Sequence, residues 1–171
     1  MFKRILVSLD DCTASEFIVG YVHGLTRWLG CRVTLLHVLG YKPDSLEASQ
    51  QAFSEAQTLL ERLAHGARLP PRLRLEWQGA ESGEPGESVA GVILRVAALE
   101  GAELIVMGTQ TGADPLVHKL GSVSQAVAAG SRVPVQLIPL FPLEPRGYTA
   151  RLSQSLNTSK LSTTGLDVSE R

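Results

Sequence analysis

The chain has 171 residues, a length that fits one domain with its own hydrophobic core. Its 16 Lys and Arg residues nearly balance its 17 Asp and Glu residues, so the basic excess typical of general nucleic-acid-binding proteins is absent. No segment approaches the roughly 20 apolar residues that span a bilayer, and the apolar run near the amino terminus is too short for a secretory signal. We therefore expect a cytoplasmic protein that binds neither nucleic acid nor membranes.

Five apolar, β-rich runs alternate with segments of helical period. The runs are Lys3–Leu9, Arg32–Leu39, Leu73–Gln78, Leu104–Gly108 and Val133–Leu140. Four of them are nearly continuous in Val, Ile and Leu, as is typical of parallel strands covered on both faces. The third alternates apolar and polar residues, so we expect it at an edge. The pattern predicts an α/β fold, a single doubly wound five-stranded parallel sheet with helices on both faces.

The first helical segment begins at a capping-box pattern, Thr13–Glu16. The residues that we expect it to pack on the sheet, because they recur at helical spacing, are Phe17, Tyr21, Leu25 and Trp28. Gly20 and Gly24 lie inside this helix, where each costs about 1 kcal/mol relative to Ala. They indicate either a close approach to a strand or a tolerated weakness.

The end of the chain differs in composition from the rest. Beyond Pro145 it is rich in Ser, Thr and Leu without firm periodicity. A segment of this kind usually buries too little apolar area to offset its ordering entropy. We therefore expect an α/β domain at 1–141 and a flexible tail at 142–171.

Three strand ends and one helix start are predicted to meet at the carboxyl edge of the sheet, where open parallel sheets bind ligands. The strand ends are Leu9–Asp10, Val38 and Met107–Gly108. The loop from Gly108 ends at Gly121–Ser122, where a helix amino terminus offers unpaired N–H groups and a partial positive charge. The sequence thus predicts a phosphate site. Ser122 either caps this helix or binds a phosphate oxygen.

Five short segments, in their order and spacing, are shared with a known family. They are Ile5–Asp10, Leu36–Val38, Gly101–Gly108, Leu120–Ser124 and Val133–Val135. On these segments the chain resembles the universal stress proteins over about residues 1–141. The resemblance implies strand order 3-2-1-4-5, homodimers paired through the fifth strand (Val133–Leu140) and, in one branch, binding of ATP or AMP.

The nucleotide-binding branch carries Gly, two residues, Gly, nine residues, then Gly followed by Ser or Thr. Gly108 and Gly121–Ser122 stand at the right separation, but Thr111 occupies the middle position and Gly112 follows it. If the middle position needs a positive φ, either the loop shifts by one residue to use Gly112 or it binds phosphate more weakly.

The resemblance also implies roles for individual residues. Asp10 would hold the ribose or a phosphate-bound Mg²⁺, Val38 would offer main-chain groups to adenine, and the glycine loop would hold the phosphates. The implied nucleotide-binding residues are Leu9, Asp10, Val38, Met107, Gly108, Thr111, Gly112, Gly121, Ser122 and Val123.

No catalytic constellation is visible in the sequence. A P-loop, GxGxxG and GxSxG are all absent, and the four histidines lack metal-ligand spacing. Cys12 and Cys31 lack CxxC spacing and are expected to be free thiols near opposite edges of the sheet. We therefore expect no catalytic residues and no dedicated metal site.

Three functions stay open on these observations. The first is a regulatory or stress-response protein that binds ATP or AMP, with or without Mg²⁺, and hydrolyses ATP weakly at most. The second is a nucleotide-free dimeric interaction module of the same family, for which Thr111 and Asp114 are the motive. The third is a slow ATPase, since a fold by itself does not fix a function.

Overall fold

A computed structural model describes residues 2–11, 14–66, 70–79, 87–110 and 120–140. The chain divides into two units, Met1–Phe141 and Pro142–Arg171, and all the described residues belong to the first. The predicted tail at 142–171 lies outside the described residues and stays a prediction.

The described residues form five strands in one sheet. They are β1 (Arg4–Leu9), β2 (Arg32–Tyr41), β3 (Arg72–Gln78), β4 (Leu104–Gln110) and β5 (Val135–Leu140). All neighbouring pairs are parallel, and the strand order is β3-β2-β1-β4-β5. The predicted α/β class, parallel sheet and strand order are confirmed. The alternating third strand lies at an edge, as expected.

In the described part of the chain, four helices cover both faces of the sheet. They are α1 (Ala14–Leu29), α2 (Leu46–Gly66), α3 (Val89–Leu99) and α4 (Ser122–Gly130). Because successive side chains of a strand point to opposite faces, β1 contributes to two cores. Val7 packs with residues of α1 and α2, and Leu6 packs with residues of α3 and α4. None of the described helices could cross a bilayer, since none is both long and apolar enough.

The packing face that the sequence predicted for α1 is wrong. Phe17 and Trp28 are 58% and 87% exposed, Tyr21 is exposed as well, and only Leu25 of the predicted face is half-buried. The buried face is instead Ser15, Ile18, Val19 and Val22. Two apolar stripes run along this helix, and the one with short and β-branched side chains lies against the sheet.

The two glycines of α1 do not serve a close approach to a strand. Gly20 and Gly24 are both exposed, and a Cβ atom added to either would meet no atom within 4 Å. Of the two interpretations of these glycines, the structure contradicts the close approach.

A tight turn leads the chain from α3 into β4. Gly101 has φ +58, the N–H of Gly101 donates to the carbonyl of Ala98 (3.1 Å), and the N–H of Ala102 donates to that of Ala97 (2.8 Å). This is the Schellman arrangement, which needs a left-handed residue after the helix. The turn fixes where β4 enters the sheet beside β1.

Candidate functional site

The sheet has a notch at its carboxyl edge, because its central strand is shorter than both neighbours. β1 ends at Leu9, opposite His37, and β2 runs on for four more residues. β4 runs three residues past Met107, which pairs with Ser8. The strand order reverses between β1 and β4, and ligands of open α/β sheets bind outside such reversal points.

The notch opens into a crevice of about 300 Å³. This volume is at the lower end of the roughly 300–1,000 Å³ typical of small-molecule sites. Its lining is Ser8, Leu9, Asp10, Ile18, Val38, Val89, Ile93, Met107, Gly108, Gly121, Ser122, Val123 and Ser124. Eight of the ten predicted nucleotide-binding residues therefore surround one cavity. The other two, Thr111 and Gly112, lie outside the described residues, as does Asp114.

Helix α4 begins at the crevice without a side-chain cap. Its N-cap residue is Gly121, and no side chain of the described residues caps it. Ser122 is the first helical residue and is exposed, so it is not the cap. The N–H groups of a first helical turn have no partner within the helix. Together with the partial positive charge of the helix end, they suit an anion.

The backbone of Gly121 does not itself require glycine. Its φ of −58 is open to every L-residue. A Cβ atom added there would have Ser124 Oγ, 4.0 Å away, as its nearest neighbour. Neither strain nor packing against the described residues explains the missing side chain, which leaves room for a group inside the crevice.

Two buried serines fix the ends of the strands that border the crevice. Ser15 Oγ donates to the main-chain oxygen of Asp10 (2.8 Å), with Asp10 Oδ1 3.1 Å away. Ser124 Oγ donates to the main-chain oxygen of Gly108 (3.1 Å). Sequence reasoning missed both serines. The sequence did contain a signal for them, because each serine lies in the first turn of the helix that follows its strand, α1 after β1 and α4 after β4.

The wall formed by β2 presents main chain to the crevice. His37 Nδ1 lies 3.1 Å from the carbonyl oxygen of Leu9, and this nitrogen must donate because a carbonyl oxygen only accepts. Beyond His37 the edge of β2 that faces β1 has no strand partner among the described residues, since β1 has ended. Val38, the next residue, is half-buried and lines the crevice. Main-chain donors and acceptors at this edge can recognise the rim of a planar base.

The charges around the crevice are few. Asp10 supplies the one carboxylate of the lining, which contains no Lys or Arg in the part of the chain that the structure describes. Within the same ranges no group of three or more His, Cys, Asp or Glu side chains could hold a metal ion. An anion would therefore be held by N–H and hydroxyl groups. A Mg²⁺ ion would need oxygen atoms of the ligand in addition to Asp10.

Neither cysteine adds a nucleophile to this site within the described residues. Cys12 lies outside them, and Cys31 is a free thiol just before β2, at the opposite edge of the sheet. Burial raises the pKa of Cys31 above its ordinary value, which disfavours the reactive thiolate.

Comparison with known proteins gives one family match and several structural matches. The model of the universal stress protein family matches residues 1–139. No curated protein matches the chain. A solved universal stress protein from Archaeoglobus fulgidus is 23% identical, with a TM-score of 0.60 over 81% of this chain and 99% of its own.

Two further solved structures contain nucleotides. The universal stress protein from Archaeoglobus fulgidus in complex with dAMP is 21% identical, with a TM-score of 0.58 over 80% of this chain and 97% of its own. A universal stress protein in complex with cAMP is 17% identical, with a TM-score of 0.56 over 81% of this chain and 97% of its own. At these identities the likeness shows a shared fold.

Proposed function

The chain belongs to the universal stress protein family, and we propose that it binds an adenine nucleotide, ATP or AMP, in the crevice between β1 and β4. The observation that carries this proposal is the start of α4, a helix amino terminus that lines the crevice and whose N-cap residue, Gly121, has no side chain to cap it. The protein would act as a nucleotide-binding regulator in a stress response, with weak ATP hydrolysis at most.

The phosphate groups belong at the amino terminus of α4 in this proposal. The N–H groups of Ser122 and Val123 are in the first turn, and the exposed Ser122 hydroxyl adds a donor. A hydrogen bond to a charged group contributes about 1.5–3 kcal/mol. The missing side chain of Gly121 lets a phosphate come within hydrogen-bond distance of these groups.

The nucleoside belongs deeper in the notch. The Asp10 carboxylate, anchored through Ser15, would accept hydrogen bonds from ribose hydroxyls or share a phosphate-bound Mg²⁺. The unpaired edge of β2 at Val38 would recognise adenine. Ile18 and Ile93 supply apolar walls from the two sides of the sheet. The dAMP and cAMP bound by two related structures support an adenine base as the ligand class.

The alternative is a nucleotide-free interaction module of the same family. It is favoured by the described lining of the crevice, which has an Asp and no Lys or Arg to oppose phosphate charge. The two candidates differ in one measurable property, the affinity for adenine nucleotides.

Calorimetric titration of the full chain tests the proposal directly. AMP and ATP are each titrated with and without Mg²⁺, and GMP serves as the control for the base. We expect saturable binding of an adenine nucleotide and weaker binding of GMP. If Asp10 shares a metal, Asp10→Asn removes the Mg²⁺ dependence of ATP binding. If titration with millimolar AMP or ATP gives no heat of binding, the nucleotide proposal is wrong and the nucleotide-free interaction module is favoured. Steady phosphate release that Asp10→Ala abolishes would instead show an ATPase.

A further inference from the structure

A second pocket lies at the opposite edge of the sheet from the crevice, where the strands begin. Its volume is about 160 Å³, and its polar lining consists of Arg4, Arg32, Thr34, Arg72 and Glu100. We call it the amino-edge pocket. Its volume is below the roughly 300–1,000 Å³ of typical small-molecule sites, so it suits one small group and not a whole nucleotide.

The strand register places the three arginines of this pocket on one face of the sheet. They are the first residues of β1, β2 and β3. Arg4 lies opposite Arg32. Two residues further along β2, Thr34 lies opposite Arg72. Since every second residue of a strand points to the same face, these four side chains share the face on which Leu6 packs with α3 and α4.

Two of the arginines contact the carboxyl end of α3 and its carboxylates. Arg4 Nε donates to the carbonyl oxygen of Gly101 (2.6 Å), and Glu103 lies 3.5 Å from the same guanidinium. Arg72 pairs with Glu100, the C-cap residue of α3, at 3.1 Å. Glu100 also lies 3.5 Å from a further arginine of β3, so its charge is shared. These contacts give Arg4 and Arg72 a structural role.

No such role accounts for Arg32. Its side chain is exposed, and no carboxylate of the described residues pairs with it. It lies directly opposite Arg4 on a neighbouring strand, about 5 Å away along the sheet, where two like charges repel. The fold therefore gains nothing from the charge of Arg32. An anion between the two guanidinium groups would turn this repulsion into attraction.

Thr34 adds a hydroxyl group to the lining. The residue is 7% exposed, and its hydroxyl forms no hydrogen bond with another described residue, so it is available to a group in the pocket. A hydroxyl can donate one hydrogen bond, and a guanidinium offers a fork of N–H donors that matches the oxygens of phosphate. Donors of both kinds suit an anion with several oxygens.

We propose that the amino-edge pocket binds a phosphate group, either as free inorganic phosphate or as the phosphate end of a small phosphomonoester. Arg32 and Arg4 supply guanidinium donors, and Thr34 supplies its hydroxyl. An extended polyanion is disfavoured, because it would meet the carboxylates of Glu100 and Glu103 beside the pocket. The site is separate from the crevice and does not depend on the nucleotide proposal.

Amide NMR of the full chain, titrated at constant ionic strength, tests this proposal. Inorganic phosphate and methyl phosphate are titrated separately, and the tighter of the two identifies the source of the group. We expect saturable shifts at residues 4–6 and 32–34. Arg32→Gln should raise the Kd about tenfold, because a hydrogen bond to a charged group is lost. Arg62→Gln, which removes the same charge from an exposed position of α2, should leave it unchanged.

The same titration separates this site from the crevice. Shifts confined to residues 121–124 would place phosphate in the crevice alone, which overturns this proposal and leaves the nucleotide proposal intact. No shifts at all, or a Kd that Arg32→Gln does not change, also overturn it. Malonate is the control for the anion, and tighter binding of malonate than of either phosphate at residues 4–6 and 32–34 would make the pocket a carboxylate site.

Urea unfolding of the Arg32→Gln variant gives an independent readout. The midpoint should not fall, because Arg32 has no carboxylate partner among the described residues and lies opposite a like charge. A lower midpoint would show that Arg32 stabilises the fold, and it would contradict the assignment of this side chain to a ligand.

Discussion

The Gly121→Ala variant distinguishes a role of Gly121 in folding stability from a role in ligand binding. The backbone at Gly121 has a φ of −58, and the added methyl group would have Ser124 Oγ, 4.0 Å away, as its nearest neighbour. We expect a loss of stability of no more than about 1 kcal/mol, which reflects the poorer N-cap preference of Ala. Gly121 lines the crevice, so in the proposed placement the added methyl group takes space next to a phosphate at the first turn of α4.

The expected effect on affinity follows from the hydrogen bonds at risk. Loss of one hydrogen bond to a charged phosphate costs about 1.5–3 kcal/mol. Since about 1.4 kcal/mol is a factor of ten, the Kd for AMP or ATP should rise roughly 10- to 150-fold. Calorimetry gives the Kd, and urea unfolding of the same samples gives the stability.

Gly66→Ala is the matched control, because Gly66 ends α2 and a Cβ there meets no atom within 4 Å. It should leave the affinity for nucleotide unchanged. If Gly121→Ala folds and binds nucleotide with the Kd of the unmodified chain, the phosphate does not lie at the start of α4. The placement of the ligand would then be wrong.

Three further substitutions or treatments test the framework of the site and the fold. Ser124→Ala should lower the free energy of unfolding, measured in urea, by about 1–3 kcal/mol, because the carbonyl oxygen of Gly108 loses a buried donor. An unchanged midpoint of urea unfolding would contradict this. Gly101→Ala should cost about 1–2 kcal/mol in the same assay, since its φ of +58 is strained for any side chain, and stability equal to that of the unmodified chain would show that the turn relaxes freely. In a Cys12→Ser background, Cys31 should react with iodoacetamide at pH 8 more slowly in the folded chain than in urea. Burial raises the pKa of Cys31 and so lowers its thiolate fraction at that pH. Equal reaction rates in the folded and unfolded chain would refute the raised pKa.

Much of the fold could be predicted because its signals are local. Runs of Val, Ile and Leu such as Ile105–Val106 mark strands covered on both faces, and they alternate regularly with helical segments. The meeting of eight candidate residues at one crevice could be predicted for the same reason, because strand ends and helix starts are positions along the chain. Once the sheet is parallel, topology brings residues as distant as Asp10 and Gly121 to one edge.

The failures arise where the sequence carries two equally good patterns or where a contact spans many residues. In α1 the stripe through Phe17 and Trp28 has the same helical period as the one through Ile18 and Val22. Side-chain size favoured the wrong stripe, since large aromatic residues are usually buried. The hydrogen bond from Ser124 to the carbonyl oxygen of Gly108 joins residues that are 16 positions apart in the sequence. No local sequence pattern predicts it. The predicted homodimer through the fifth strand and the cytoplasmic location stay predictions.

The notch at the end of β1 has a consequence for how the protein meets a ligand. It is a difference in strand length within the sheet, so its walls are the extended main chains of β2 and β4, each hydrogen-bonded to a further strand on its other side. Walls of this kind take their positions when the chain folds. A ligand that binds in the notch therefore does not have to order these walls. Little of its binding free energy is spent on ordering the protein there.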